Sequence, residues 1–168
     1  MNFYFAFDEY TDVANKTEAS KIANDVMDAF RRREASVRSP HGKLTTMAQE
    51  WVINLEGKMM VFNCQISRFF QRTVSVVGED PPAMERFISD FDAYTKSVIV
   101  EAEDRVAGHL RTVNDYLILR RDTCGAKPTF SFLGLGLNIP NAVFDNPLMI
   151  SLIENAADLI AITNVSDL

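Results

Sequence analysis

Positive charge, cysteine and long apolar runs are all scarce in this chain of 168 residues. Lysine and arginine total 17 against 23 acidic residues, a formal net charge of −6. Binding a nucleic-acid backbone requires concentrated positive charge, so no nucleic-acid partner is expected. The one basic run, Arg31-Arg32-Arg33, follows an apolar-periodic stretch and reads as a solvated helix end, where cations suit the helix dipole. Two cysteines, Cys64 and Cys124, cannot build a disulfide framework, and neither has the spacing of a zinc site. The expected compartment is therefore reducing, and cytoplasmic. No apolar run approaches the roughly 20 residues of a membrane span, so no membrane partner is expected. The opening Met1-Asn2-Phe3-Tyr4-Phe5-Ala6-Phe7 is apolar but lacks a basic lead-in and a small-residue cleavage site, and it runs straight into Asp8 and Glu9. It does not read as a secretory signal. No internal repeat, low-complexity tract or domain linker interrupts the chain.

What is present points to a single helical domain over residues 1–168. The hydrophobic fraction of 47% and charged fraction of 24% are those of an ordinary globular protein. The 12 phenylalanines are many for this length and imply a substantial core or an aromatic-lined cavity. Apolar residues recur at helical spacing nearly throughout, so the expected fold class is all-α. Phe87, Phe91, Tyr94 and Val98 fall on one stripe, with Asp80-Pro81 as a cap and first residue. Met149, Leu152, Ile153, Ala156, Leu159, Ile160 and Thr163 mark another helix, begun by Asn146-Pro147. Thr112 precedes Asp115 by three, a capping-box-like start to Tyr116-Leu117-Ile118-Leu119-Arg120-Arg121, and Gly125 is placed to stop that helix. Segments 17–33 and 44–76 also read as helices, separated by Pro- and Gly-bearing loops near 39–42 and 78–82.

Three features could carry chemistry. In Asp8-Glu9-Tyr10-Thr11-Asp12, the two aspartates are one helical turn apart. Like charges at that spacing repel unless a cation sits between them. Carboxylates in this pattern suit Mg²⁺, which prefers oxygen ligands and often binds through one or two carboxylates plus substrate phosphates. Alone, these residues read more simply as an acidic helix end facing water. Arg120 and Arg121, at the end of an apolar helix just before Gly125, can present guanidinium groups to phosphate. Alone, they read more simply as exposed arginines paired with the helix dipole. Asn164, an amide at the end of an apolar helix, says almost nothing by itself.

Together and in this order, the three resemble one family. Phe7-Asp8-Glu9-Tyr10-Thr11-Asp12 resembles the aspartate-rich motif of the basidiomycete-type sesquiterpene synthases, which are class I terpene synthases. Residues 116–128, ending Arg120-Arg121-Asp122-Thr123-Cys124-Gly125-Ala126-Lys127-Pro128, resemble their pyrophosphate-sensor region. Leu137-Asn138-Ile139-Pro140-Asn141-Ala142-Val143-Phe144, followed by Asn146-Pro147, is similar to the connection before their second metal-binding helix. Asp158-Leu159-Ile160 and then Thr163-Asn164 resemble the approach to its Asn/Ser/Glu motif.

The resemblance implies part of a class I terpenoid-synthase helical bundle. It implies Asp8 as the main Mg²⁺ ligand of the aspartate-rich motif with Glu9 and Asp12 in support, and Asn164 as the first residue of the second motif, which chelates another Mg²⁺. It implies Arg121 as pyrophosphate sensor with Arg120 as rival, and Gly125 as a helix break whose carbonyl faces substrate. The implied substrate is a linear isoprenyl diphosphate, typically farnesyl diphosphate, ionised with Mg²⁺ and then cyclised in an apolar cavity. Metal ions neutralise the leaving group, a dry cavity protects the cation and aromatic faces stabilise it.

Beyond Asn164 the likeness stops. Val165 stands where the family has Asp, Leu168 where it has Ser, and its Glu position has no counterpart. Both ends read as cut through helices, so the chain is expected to be a central fragment with little cyclase activity. A non-catalytic helical fragment or pseudogene product is the alternative. An isoprenyl chain-elongating enzyme is disfavoured, because its second motif would also be aspartate-rich. The sequence gives no oligomeric state.

Overall fold

The computed structural model describes residues 2–37, 72, 75 and 81–166, with side-chain surroundings at 7–28, 30–31, 72, 75 and 82–163. The regular structure among these residues is entirely helical. The helices are α1 (Asn2–Thr11), α2 (Lys16–Val37), α3 (Pro81–Ala107), α4 (Val113–Thr123), α5 (Ala126–Leu133), α6 (Asn141–Phe144) and α7 (Pro147–Ser166). None of them is long and apolar enough to cross a membrane.

Local chemistry sets the helix starts. Asn15 and Glu18 cap α2 reciprocally: the Glu18 N–H donates to Asn15 Oδ1 and the Asn15 N–H to Glu18 Oε2, each at 3.0 Å. Proline, preset to helical φ and missing only an N–H that would be unpaired anyway, opens α3 and α7. Its expected partner at α3, Asp80, and most of the helix expected at 44–76 lie outside the described residues; Arg72 and Ser75 of that segment are helical. Thr112 caps α4, its hydroxyl accepting from the Asp115 N–H at 3.2 Å as the sequence suggested.

The basic run is a correction. Arg31-Arg32-Arg33 is not a helix end, because α2 continues through Glu34-Ala35-Ser36 to Val37. Arg31 instead reaches across to Asp92 of α3 at 2.8 Å.

About 40 Å long at 1.5 Å per residue, α3 is the central post. Its stripe Phe87, Phe91, Tyr94 and Val98 is buried against Phe7 of α1 and Val26, Met27 and Phe30 of α2. The rings meet edge-on or tilted: Phe30–Phe91 centroids are 4.9 Å apart, Phe91–Tyr94 5.3 Å and Phe7–Tyr94 5.4 Å. Such pairs add about 0.5–1.5 kcal/mol each beyond area burial. Toward the far end of α3, the small residues Ala14, Ala19 and Ala102 form a second cluster at the α1–α2 turn.

On its other side α3 carries α4 and α5, and α7 packs against those two helices rather than on α3. Phe132 packs on Phe87, and the buried Ser131 hydroxyl donates to Asp90. Arg86 fastens α6: it donates to Asn141 and lies 3.9 Å over the Phe144 ring. The helix expected at Pro147 is present, but its buried residues are Ala157 and Ala161, while Leu148, Leu152 and Leu159 stand 82%, 62% and 68% exposed.

Candidate functional site

The candidate site gathers where the C-terminal ends of α1 and α4 meet the second half of α3. Asp8 is half-buried, and its carboxylate accepts a hydrogen bond from Tyr94, a phenol only 1% exposed in the aromatic core. Burial pushes the Asp8 carboxyl up, as does the Asp12 charge; the Tyr94 hydroxyl and the Arg120 guanidinium oppose this without cancelling it. Asp12 is exposed just past the end of α1, yet its N–H still donates to Asp8 O at 2.8 Å, so the two remain one turn apart. Glu9 is exposed.

This end of α1 is tied to α3. The Arg105 guanidinium donates to the carbonyls of Thr11 at 2.9 Å and Ala14 at 3.2 Å, which pins the end of α1 and the turn after it. The buried Thr11 turns its hydroxyl back onto Phe7 O at 2.9 Å.

The two arginines of α4 part company. Arg120 faces α3 and donates to Thr123 Oγ1 at 3.3 Å, and it lies 3.7 Å from Glu101 Oε1. Thr123 in turn donates to Glu101 Oε1 at 3.1 Å. Burial pushes the Glu101 carboxyl up against the lowering effect of Arg120 and Thr123, and Asp12 adds to the rise. Asp8, Asp12, Glu101 and Arg120 thus share one electrostatic neighbourhood. Within it, Arg120 Nε is buried without a hydrogen-bond partner among the described residues. Arg121 faces α7, donating to both oxygens of Asp158 and, at 3.1 Å, to Glu154.

Gly125 makes the break between α4 and α5, with φ at +69°, a conformation glycine adopts without penalty. Its carbonyl accepts from the Thr129 hydroxyl at 2.8 Å, the first turn of α5. Asn164 lies on α7, and its side chain is outside the described residues. Cys124 is free and half-buried, and burial pushes its thiol up.

The oxygen donors of Asp8 and Asp12 fit a hard cation, and their mutual repulsion is what such a cation relieves. Among the described residues, no three His, Cys, Asp or Glu side chains are grouped so as to hold a metal by themselves. Any Mg²⁺ at Asp8 and Asp12 would complete its shell with water or phosphate oxygens, as this ion commonly does.

Sequence reasoning missed Glu101, Thr123 and Arg105. A signal existed: Glu101 and Arg105 continue the register of Tyr94 and Val98 at helical spacing, so two charged residues extend a buried stripe.

A helical post carrying an acidic helix end on one side and an arginine-bearing helix break on the other is the arrangement of a class I terpenoid synthase. The same fold occurs in the crystal structure of SVS_A2, a protein from ancestral sequence reconstruction, which matches 96% of this chain and 44% of its own with a TM-score of 0.69 at 22% identity. The model of terpene synthase family 2, C-terminal metal binding, matches residues 1–165, and the chain belongs to that family. Two sesquiterpene synthases of Cyclocybe aegerita are 41% and 38% identical over 98% and 99% of this chain, and over 41% and 40% of their own lengths. A Delta(6)-protoilludene synthase of Armillaria gallica is 33% identical over 98% of this chain and 42% of its own. The chain spans about two fifths of the length of these relatives.

Proposed function

We propose that this chain contributes the diphosphate-binding end of a sesquiterpene synthase acting on a 15-carbon isoprenyl diphosphate, farnesyl diphosphate. Asp8 and Asp12, with Glu9 beside them, would hold one Mg²⁺, and Asn164 on α7 would help to hold another. Such ions, when bound, supply positive charge to the departing diphosphate. Arg120 binds the diphosphate, with Arg121 joining it only by leaving Asp158. Gly125 sets the angle between α4 and α5. The observation that carries this reading is Arg120: its charge acts on Asp8 and Glu101, while its buried Nε has no hydrogen-bond partner among the described residues. A buried, unpaired guanidinium N–H costs free energy that a phosphate oxygen would recover.

The names of the relatives support the sesquiterpene assignment. The single domain over 1–168 and a cytoplasmic setting belong to the same reading. Residues 1–168 alone are expected to cyclise little. The exposed leucines of α7 leave apolar surface uncovered, and an open site lets water quench a carbocation.

Thermal melting with Mg²⁺ and inorganic pyrophosphate tests the site, since a ligand selective for the folded state raises the midpoint. Absence of any shift at millimolar concentrations of both would refute the assignment. Cyclic terpene from farnesyl diphosphate, seen by gas chromatography, would refute the expectation of low activity.

A further inference from the structure

Adjacent residues on a helix project about 100° apart, so Arg120 and Arg121 cannot both face one site without help. The structure shows what separates them. Asp158 and Glu154 take Arg121 toward α7. On the other side, Thr123 sits three residues after Arg120, on the same face of α4, and is 5% exposed. A hydroxyl can donate once and accept as well, and Thr123 does both, donating to Glu101 and accepting from Arg120. Glu101 belongs to α3, so this relay fixes Arg120 against the central post. The contact takes up Nη1 of Arg120 and leaves Nε without a hydrogen-bond partner among the described residues.

Glu101 would otherwise be a poor neighbour for an anion. It is a half-buried carboxylate, and Asp12 adds further negative charge nearby. By charge alone, it should repel diphosphate. Its hydrogen-bonding role explains why it is tolerated there.

We propose that Glu101 and Thr123 are positioning residues for Arg120, a hydroxyl–carboxylate relay that keeps the guanidinium on the Asp8 side of α4, where its free N–H meets a phosphate oxygen. This rests on the reading of the site as diphosphate-binding. The relay and simple electrostatics predict opposite signs. Removing the Glu101 carboxylate altogether should tighten anion binding if Glu101 only repels, and weaken it if Glu101 holds Arg120 through its acceptor oxygen.

The test measures inorganic pyrophosphate affinity in the presence of Mg²⁺ by titration calorimetry on the 168-residue chain, with melting followed by circular dichroism for each variant. Glu101→Ala and Thr123→Val should each weaken binding about five- to tenfold, the scale of one lost hydrogen bond. Glu101→Gln, which keeps an acceptor for Thr123, should stay within about twofold, and Thr123→Ser should restore the loss seen in Thr123→Val. These retained affinities answer any objection that the weaker variants are merely less folded. Wild-type-like or tighter binding by Glu101→Ala and Thr123→Val overturns the relay and leaves the site reading intact. Glu101→Gln falling as far as Glu101→Ala also overturns it. If the unsubstituted chain does not bind pyrophosphate, the site reading fails and the relay fails with it.

Discussion

Arg121 on α4 and Asp158 on α7 form a two-pronged ion pair, with Nε 2.7 Å from Oδ1 and NH2 2.8 Å from Oδ2. The planar guanidinium fork matches the carboxylate, the geometry in which arginine pairs best. This pair joins the helix break to the last described helix, and it keeps Arg121 away from Asp8.

The pair makes stability depend on pH in a fixed direction. The Arg121 guanidinium holds the Asp158 carboxyl below the usual carboxylate range. A group whose pKa is lower when folded stabilises the fold above its unfolded value, near 3.9, and that contribution is lost as pH falls through the folded value. Asp158→Asn should therefore lower the urea midpoint at pH 7 by the equivalent of about 1 kcal/mol or less, since both partners are partly exposed. The gap between variant and wild type should close progressively from about pH 5 downward. A constant gap across that range would show that the pair does not titrate as described.

Arg120 and Arg121 should separate experimentally. Arg120→Ala is expected to weaken pyrophosphate binding about tenfold or more, the scale of a charge-assisted hydrogen bond, with a modest change in melting. Arg121→Ala should act mainly on melting. Calorimetry and thermal scans on both variants decide this, and the reverse pattern would place Arg121 on the anion.

Tyr94 orients Asp8, so Tyr94→Phe should keep the ring packing and lose the hydroxyl. The Mg²⁺ needed for half the pyrophosphate-induced melting shift should rise about tenfold, as for other groups that orient metal ligands. An unchanged requirement would mean Asp8 is held by other means.

The aromatic core should be intolerant of truncation. Phe91 is fully buried among Phe7, Phe30, Phe87 and Tyr94. Phe91→Ala should cost about 3–5 kcal/mol in chemical unfolding. A cost under about 1 kcal/mol would be that of a surface residue.

Gly125 sits at φ +69°, where a β-carbon is strained. Gly125→Ala should destabilise by about 1–2 kcal/mol, and Gly125→Asn by less, because asparagine tolerates the left-handed region. Equal effects of the two substitutions in the same unfolding assay would point to crowding rather than backbone strain.

Much of the fold was legible because its causes are local. The stripe of Phe87, Phe91, Tyr94 and Val98 became the buried face of α3, Thr112 capped α4, Gly125 broke the chain and Pro147 opened α7. Helix α7 was legible as a helix but not in its burial. The sequence stripe includes Leu152 and Leu159, which are exposed, while the helix packs through Ala157 and Ala161. Periodicity identifies an apolar face without saying whether another element covers it.

The candidate site divides the same way. Asp8 and Asp12 share one turn, and Arg120 and Arg121 precede a glycine, as the sequence alone requires. Which carboxylate each arginine meets was decided by packing. Tyr94 reaches Asp8 across 86 positions, Arg105 reaches Thr11 across 94 and Arg121 reaches Asp158 across 37. Helix formation depends on neighbours within a few residues, so the sequence determined the elements and the residues at their ends. Contacts between distant residues depend on how whole helices pack, so only the tertiary structure could give Arg120 to Glu101 and Arg121 to α7.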